Sequence, residues 1–243
     1  MLVENTPLAV LPKKRVNTIY FFTGIQTELD GGFMEKRKFF SAKNIAVLGV
    51  LLALVVVLQA FGGSFNIGAV TLNFTLIPIV LGAIMLGPWA GGFLGLACGI
   101  IILVQVIIAP AGFYYIIWTN DPIITTITCI SKTTLAGIAA GFLFKWLEKK
   151  NRYVAIFASS VIVPIVNTGV FILCCLWMNE SMKLTQDWMV NDLGMTQFFG
   201  LNPLVFILMG LVTFNFFVEL GINLIVAPGL HTVYKVVEKS IKK

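Results

Sequence analysis

Charge is what this sequence has least of. Only 12% of its 243 residues are charged and 58% are hydrophobic, whereas an average soluble domain carries about 25% charge. That excludes a water-facing surface around most of the chain. It points to an integral membrane protein, in keeping with a mean hydropathy of +0.94. The net charge is +6, but the basic side chains flank apolar runs and form no nucleic-acid patch, so they read as anchors at the cytoplasmic membrane face. Histidine occurs once, at His231 after the last apolar run; it reads as an interfacial residue. A Ser/His or Cys/His catalytic pair is therefore hard to build. Cys98, Cys129, Cys174 and Cys175 all lie inside apolar runs. They have neither zinc-site nor CxxC spacing, and read as small packing residues with no disulfide. No GxxxxGKS or GxxxxGKT run is present: Ser131-Lys132-Thr133-Thr134 ends like one but lacks the glycines. ATP hydrolysis by a P-loop is excluded. HExxH and GxSxG are missing, as are a periodic repeat, a second soluble domain and the inverted half-helix pairs of a large secondary transporter. No metal or cofactor is expected.

What the sequence has is long apolar runs. From Thr71 to Gly99 two such segments, without a charged side chain, are separated only by Gly87-Pro88. A hydrophobic hairpin of this kind needs a lipid solvent. Six spans are predicted, at about 44–61, 72–87, 89–109, 123–147, 153–178 and 203–227, the last ending near Pro228. The second is short, and is expected to be tilted, broken or extended by the Asn-containing segment before it. The fold class that follows is an all-α integral membrane protein with six transmembrane helices. Lysine and arginine give its orientation. Lys36, Arg37, Lys38 and Lys43, then Lys145, Lys149, Lys150 and Arg152, then Lys235, Lys239, Lys242 and Lys243 fall on one side, and only Lys183 on the other. Both termini are thereby cytoplasmic. The longest outer loop, 179–202, carries Glu180, Asp187 and Asp192 with Trp188, Phe198 and Phe199, enough to cover a site. Residues 1–33 contain no spanning run and no signal-peptide core after Lys13-Lys14-Arg15. They read as an extension ahead of a natural start at Met34, or as a disordered cytoplasmic tail. The membrane domain is expected over 34–243.

Two kinds of position inside the spans carry chemistry. Ala42, Ala46, Gly49 and Ala53 recur at three- and four-residue spacing, which puts them on one helix face. Such a face lets another helix approach closely, either from within the chain or from a partner protein. Gly91, Gly92, Gly95, Gly99, Gly137 and Gly141 are assigned to internal packing. Lys132 and Glu219 are charges within spans, and each costs on the order of 2.5–3.5 kcal/mol at a helix centre. They form an ion pair, or a polar site for a ligand entering from outside, or both. Asn66 and Asn73 flank the first outer loop, Asn120 and Asp121 sit just outside the fourth span, and Asn167, Asn215 and Asn223 lie within spans. With Tyr114, Tyr115 and Trp118 they make a plausible small-molecule cavity of a few polar groups among aromatics. Three functional classes stay open on this basis: the binding subunit of a multi-component importer, a self-contained transporter or channel, and a membrane enzyme or scaffold.

From about residue 36 onward the sequence resembles the substrate-binding S components of energy-coupling factor (ECF) vitamin transporters. The hairpin reads P-x4-G-x4-GPxAGxxxG through Pro78, Gly82, Gly87-Pro88, Ala90-Gly91 and Gly95. KTTLAGIAAGFLFKWLEKKN in the fourth span, PIVNTGVF in the fifth and the AxxxA face of the first add to the likeness. The resemblance implies high-affinity capture of a vitamin or related micronutrient outside the cell. It further implies assembly with a transmembrane coupling protein and two ATP-binding-cassette ATPases. Ala42, Ala46, Gly49 and Ala53 would meet the coupling protein. The ligand site would lie toward the outer side, where Asn66, Asn73, Lys132, Asn167, Asn215 and Glu219 fall. Lys132 would pair with a ligand carboxylate, which favours pantothenate or folate over riboflavin.

Overall fold

The computed structural model describes residues 42–62, 66–67, 70–71, 73–110 and 112–241, with side chains over 42–60, 73–110 and 112–237. The expected extension 1–33, the start at Met34, and the basic residues Lys36, Arg37, Lys38, Lys239, Lys242 and Lys243 lie outside those side chains.

Helix α1 (Ala42–Gly62) leads through a two-residue antiparallel pair, β1 (Asn66–Ile67) and β2 (Val70–Thr71), into α2 (Leu76–Leu86). α3 (Pro88–Ile108), α4 (Phe113–Asn120), α5 (Pro122–Leu147), α6 (Arg152–Trp177) and α7 (Asn179–Asn191) follow. The last stretch runs from α8 (Pro203–Phe206) through a π-helical segment (Ile207–Val212) into α9 (Thr213–Ile241). Five helices are long and apolar enough to span a membrane, and the shorter apolar α2 accompanies them.

The second predicted span is the broken one. α2 has 11 residues and rises only about 16 Å, about half of a ~30 Å hydrocarbon core. It is apolar on nearly every side because it is central: it contacts α1, α3, α5, α6 and α9. The segment before it is not helical, because Asn73 and Thr75 hydrogen-bond to each other and the Asn73 N–H is taken by another helix. Irregular backbone is tolerated at this depth when protein surrounds it.

Gly87 turns the chain between α2 and α3. Its φ of 100° is open to glycine, its N–H bonds to the Ala83 carbonyl at 3.1 Å, and Pro88 starts α3 where a missing N–H costs nothing. α3 then packs closely on α5. A Cβ added to Gly95 would lie 2.2 Å from the Thr133 carbonyl oxygen, and one added to Gly137 would lie 2.2 Å from the Gly91 carbonyl oxygen. The Thr133 hydroxyl donates to the Gly95 carbonyl at 2.7 Å across this contact. α6 starts on Asn151, whose side chain accepts from the Tyr153 and Val154 N–H groups. It then joins α5 through Ser159, which donates to the Ala140 carbonyl at 3.1 Å.

Three boundaries differ from expectation. The predicted loops 110–121 and 179–202 contain the helices α4 and α7, which pack on one another. Beneath them Phe113, Ile117, Met178, Met182, Met189 and Phe206 form a second apolar cluster. Their helices are short and their burying partners distant in sequence, so composition alone reads as loop. The final helix also passes through Pro228 and continues to Ile241. A proline removes one helical hydrogen bond and membrane helices accommodate it.

The two ends differ in charge. Lys145 lies beside the Gly87 turn, and Arg152 stacks on Tyr234 with its guanidinium carbon 5.2 Å from the ring centroid. The Tyr153 and His231 rings meet edge to face at the same end, 5.3 Å apart.

Candidate functional site

The intramembrane charges reside on facing elements of the central bundle. Lys132 of α5 is 8% exposed. Its Nζ donates to the Tyr114 hydroxyl of α4 at 3.5 Å and sits 5.5 Å from the Phe171 ring centroid of α6. Glu219 of α9 is 2% exposed. Its Oε1 accepts from the Asn73 N–H at 3.1 Å and from the Asn215 side-chain amide at 3.2 Å, with Asn167 of α6 beside this carboxylate. The Asn223 amide donates to the Glu219 main-chain carbonyl at 2.8 Å. Lys132 and Glu219 do not form a contact ion pair; one ion pair among the described residues is Lys183–Glu180, on the surface at 2.8 Å. Of the two readings of these charges, a direct bridge is the one the geometry does not support.

The cluster is unfinished. Asn167 Oδ1, Asn215 Oδ1, Glu219 Oε2 and Asn223 Oδ1 are buried and have no hydrogen-bond partner, and neither has Ser131 Oγ. Buried polar atoms are ordinarily paired, and leaving one unpaired costs about 1–3 kcal/mol. Three of these oxygens, on Asn215, Glu219 and Asn223, lie on one face of α9.

Sequence reasoning missed the polar chain behind the cluster. Thr75 Oγ1 lies 3.0 Å from Cys98 Sγ, which reaches Gln59 Oε1 at 3.8 Å. Gln59 in turn donates to Gln105 Oε1 at 3.0 Å. Because Thr75 also bonds to Asn73, this chain links the Glu219 site to α1 and α3. Cys98 is therefore more than an apolar filler, although all four thiols are free. The overlooked signal was a glutamine in each of two apolar runs.

The remaining predicted residues divide. Asn73, Lys132, Asn167, Asn215, Glu219 and Asn223 belong to the buried cluster. Asn120 is exposed and caps back onto the Ile116 carbonyl at 2.8 Å, and Asp121 accepts from the Ser181 hydroxyl at 2.5 Å. Both sit in the α4–α7 layer. There Asn120 lines a groove of about 590 Å³ with Tyr115, Thr119, Asp187, Trp188 and Asp192. Asn66 is in β1, and its side chain is outside the described residues. Ala42, Ala46, Gly49 and Ala53 are all exposed along α1. Among the described residues no group of three or more His, Cys, Asp or Glu is placed to hold a metal ion.

The fold defines the class of multi-pass helical membrane proteins. The sequence comparison is specific: the profile of the ECF transporter, substrate-specific component family matches residues 43–231, and this chain belongs to that family. No curated protein matches the chain. The protein is thus the substrate-specific subunit of an ECF transporter, a transport subunit and not an enzyme. It works with a coupling protein and ATPases on a small-molecule substrate.

Proposed function

We propose that this subunit captures a water-soluble vitamin or related micronutrient from outside a bacterial cell and hands it to its coupling protein, with pantothenate or folate ahead of riboflavin. One observation carries the reading: Lys132 is a buried cation whose neighbours are a phenol and an aromatic ring, with no carboxylate in contact. A ligand carboxylate would supply the missing countercharge. Asn73, Asn167, Asn215, Glu219 and Asn223 would hold the rest of the ligand together with Asn66, and Asn120 with Asp121 would line the approach. The positive-inside rule turns the Lys145–Arg152 end toward the cytoplasm, which leaves the α4–α7 layer facing outward in the cytoplasmic membrane. Ala42, Ala46, Gly49 and Ala53 would dock on the coupling protein, as their exposure favours. Energy would come from two partner ATPases, since this chain has no P-loop.

Lys132→Ala tests the site. Affinity for the acidic ligand, measured by titration calorimetry on purified protein, is expected to fall by about 100-fold, the loss of a buried charge-assisted contact, while helicity is kept. Unchanged affinity would return Lys132 to a structural role. Accumulation of ligand in vesicles by this chain alone, without any ATPase, would replace the reading with that of a self-contained transporter.

A further inference from the structure

Apart from Ser131 Oγ, the unpartnered atoms are of one chemical kind. Glu219 Oε2, Asn167 Oδ1 and Asn215 Oδ1 are all acceptors. The Asn215 amide assignment follows from the bond already made, because its N–H turns to the Glu219 carboxylate. Asn223 repeats the arrangement one turn on, spending its N–H on the Glu219 carbonyl and leaving Oδ1 open. Asn215, Glu219 and Asn223 recur every four residues and so share a face of α9. Glu219 is 2% exposed, Asn167 5% and Asn223 2%, so bulk water does not serve these oxygens. The one cation in the cluster, Lys132, already donates to Tyr114 and does not reach Glu219.

Taking the cluster as the ligand site, we infer that the substrate is bipolar: a head bearing at least two adjacent N–H donors seated on Glu219, Asn167 and Asn215, and a carboxylate tail toward Lys132. A carboxylate oxygen flanked by two amide carbonyls accepts from adjacent N–H groups of an amino-lactam or cyclic urea, and burial strengthens such bonds. A ligand with a carboxylate but no such head leaves the acceptors orphaned. That is the larger penalty in discrimination, because a site built to hydrogen-bond a group rejects the analogue that lacks it. The inference narrows the acidic vitamins to those with an N–H-rich ring and places pantothenate behind folate.

The test uses purified full-length protein with folate, biotin, pantothenate, nicotinate, thiamine and riboflavin as probes. Folate and biotin carry both groups, and the other four lack one or the other. Folate or biotin is expected to bind most tightly. Its donor-blocked analogue, 2-desamino-2-methylfolate or N-methylated biotin, is expected to bind the wild-type protein about 30-fold more weakly. Glu219→Gln is expected to weaken the parent ligand by a similar factor and the blocked analogue no further. Tightest binding by pantothenate, nicotinate, thiamine or riboflavin overturns the inference and leaves the importer reading standing. So does equal affinity for parent and blocked analogue, a comparison that needs no variant to fold. Binding of none of the six overturns both.

Discussion

Gly95 on α3 and Gly49 on α1 sit in stripes of similar small residues. A Cβ added to Gly95 would lie 2.2 Å from the Thr133 carbonyl oxygen, whereas one added to Gly49 meets nothing within 4 Å. Along α3 and α5 the small residues have been used: the backbones touch, and Gly91, Gly95, Gly99, Gly137 and Gly141 leave no room for a side chain. Along α1 they have not. Among the described side chains of α1 only Leu51 and Val55 are buried, and Ala42, Ala46, Gly49 and Ala53 point away from the bundle. In lipid, helix association draws on close packing, not on apolar burial. A small-residue stripe therefore permits a close contact, and the question is whether a helix makes it. For α3 the partner is in the chain. For α1 the family's coupling protein is the candidate.

The comparison can be broken at several strengths. Gly95→Leu should do the most, because it forces helix backbones apart: a loss of about 3 kcal/mol or more and little folded protein in a detergent thermal melt. The matched Gly49→Leu should melt at or above the wild type, by at most about 1 kcal/mol. Equal damage from the two would mean that α1 is packed as α3 is. Ala46→Trp sharpens the difference by function. Uptake in cells carrying the whole transporter should be abolished while ligand affinity and melting temperature stay unchanged. Survival of uptake would remove this face from the docking surface. The smallest effect belongs to Gly49→Ala, where relief of glycine's conformational entropy should raise stability by about 0.5–1 kcal/mol. A drop in stability in the isolated subunit would reveal an internal contact at Gly49.

The polar residues divide along similar lines. Lys132 and Glu219 stood out in the sequence because a charge in an apolar run is conspicuous by itself. Gln59 and Gln105 did not, since an uncharged amide in a membrane helix is read as interhelical glue until its partner is known. Asn120 and Asp121 fall just outside the fourth span by chain position. The fold carries them into the α4–α7 layer, where Asp121 accepts from Ser181 sixty residues away.

By itself the sequence determined the membrane solvent, the all-helical class, the hairpin turn at Gly87-Pro88, the basic end and the buried charges. Each of these depends on run length, local turn chemistry or a single costly residue, all of which are local properties. Only the tertiary structure decided that α2 is a short central helix, that α4 and α7 cover a second apolar cluster, and that the last helix passes Pro228. It also decided that Lys132 and Glu219 stay apart, and that one glycine stripe is filled while the alanine-glycine face of α1 is open. Those outcomes depend on which surfaces meet, and the residues that meet are distant in the chain.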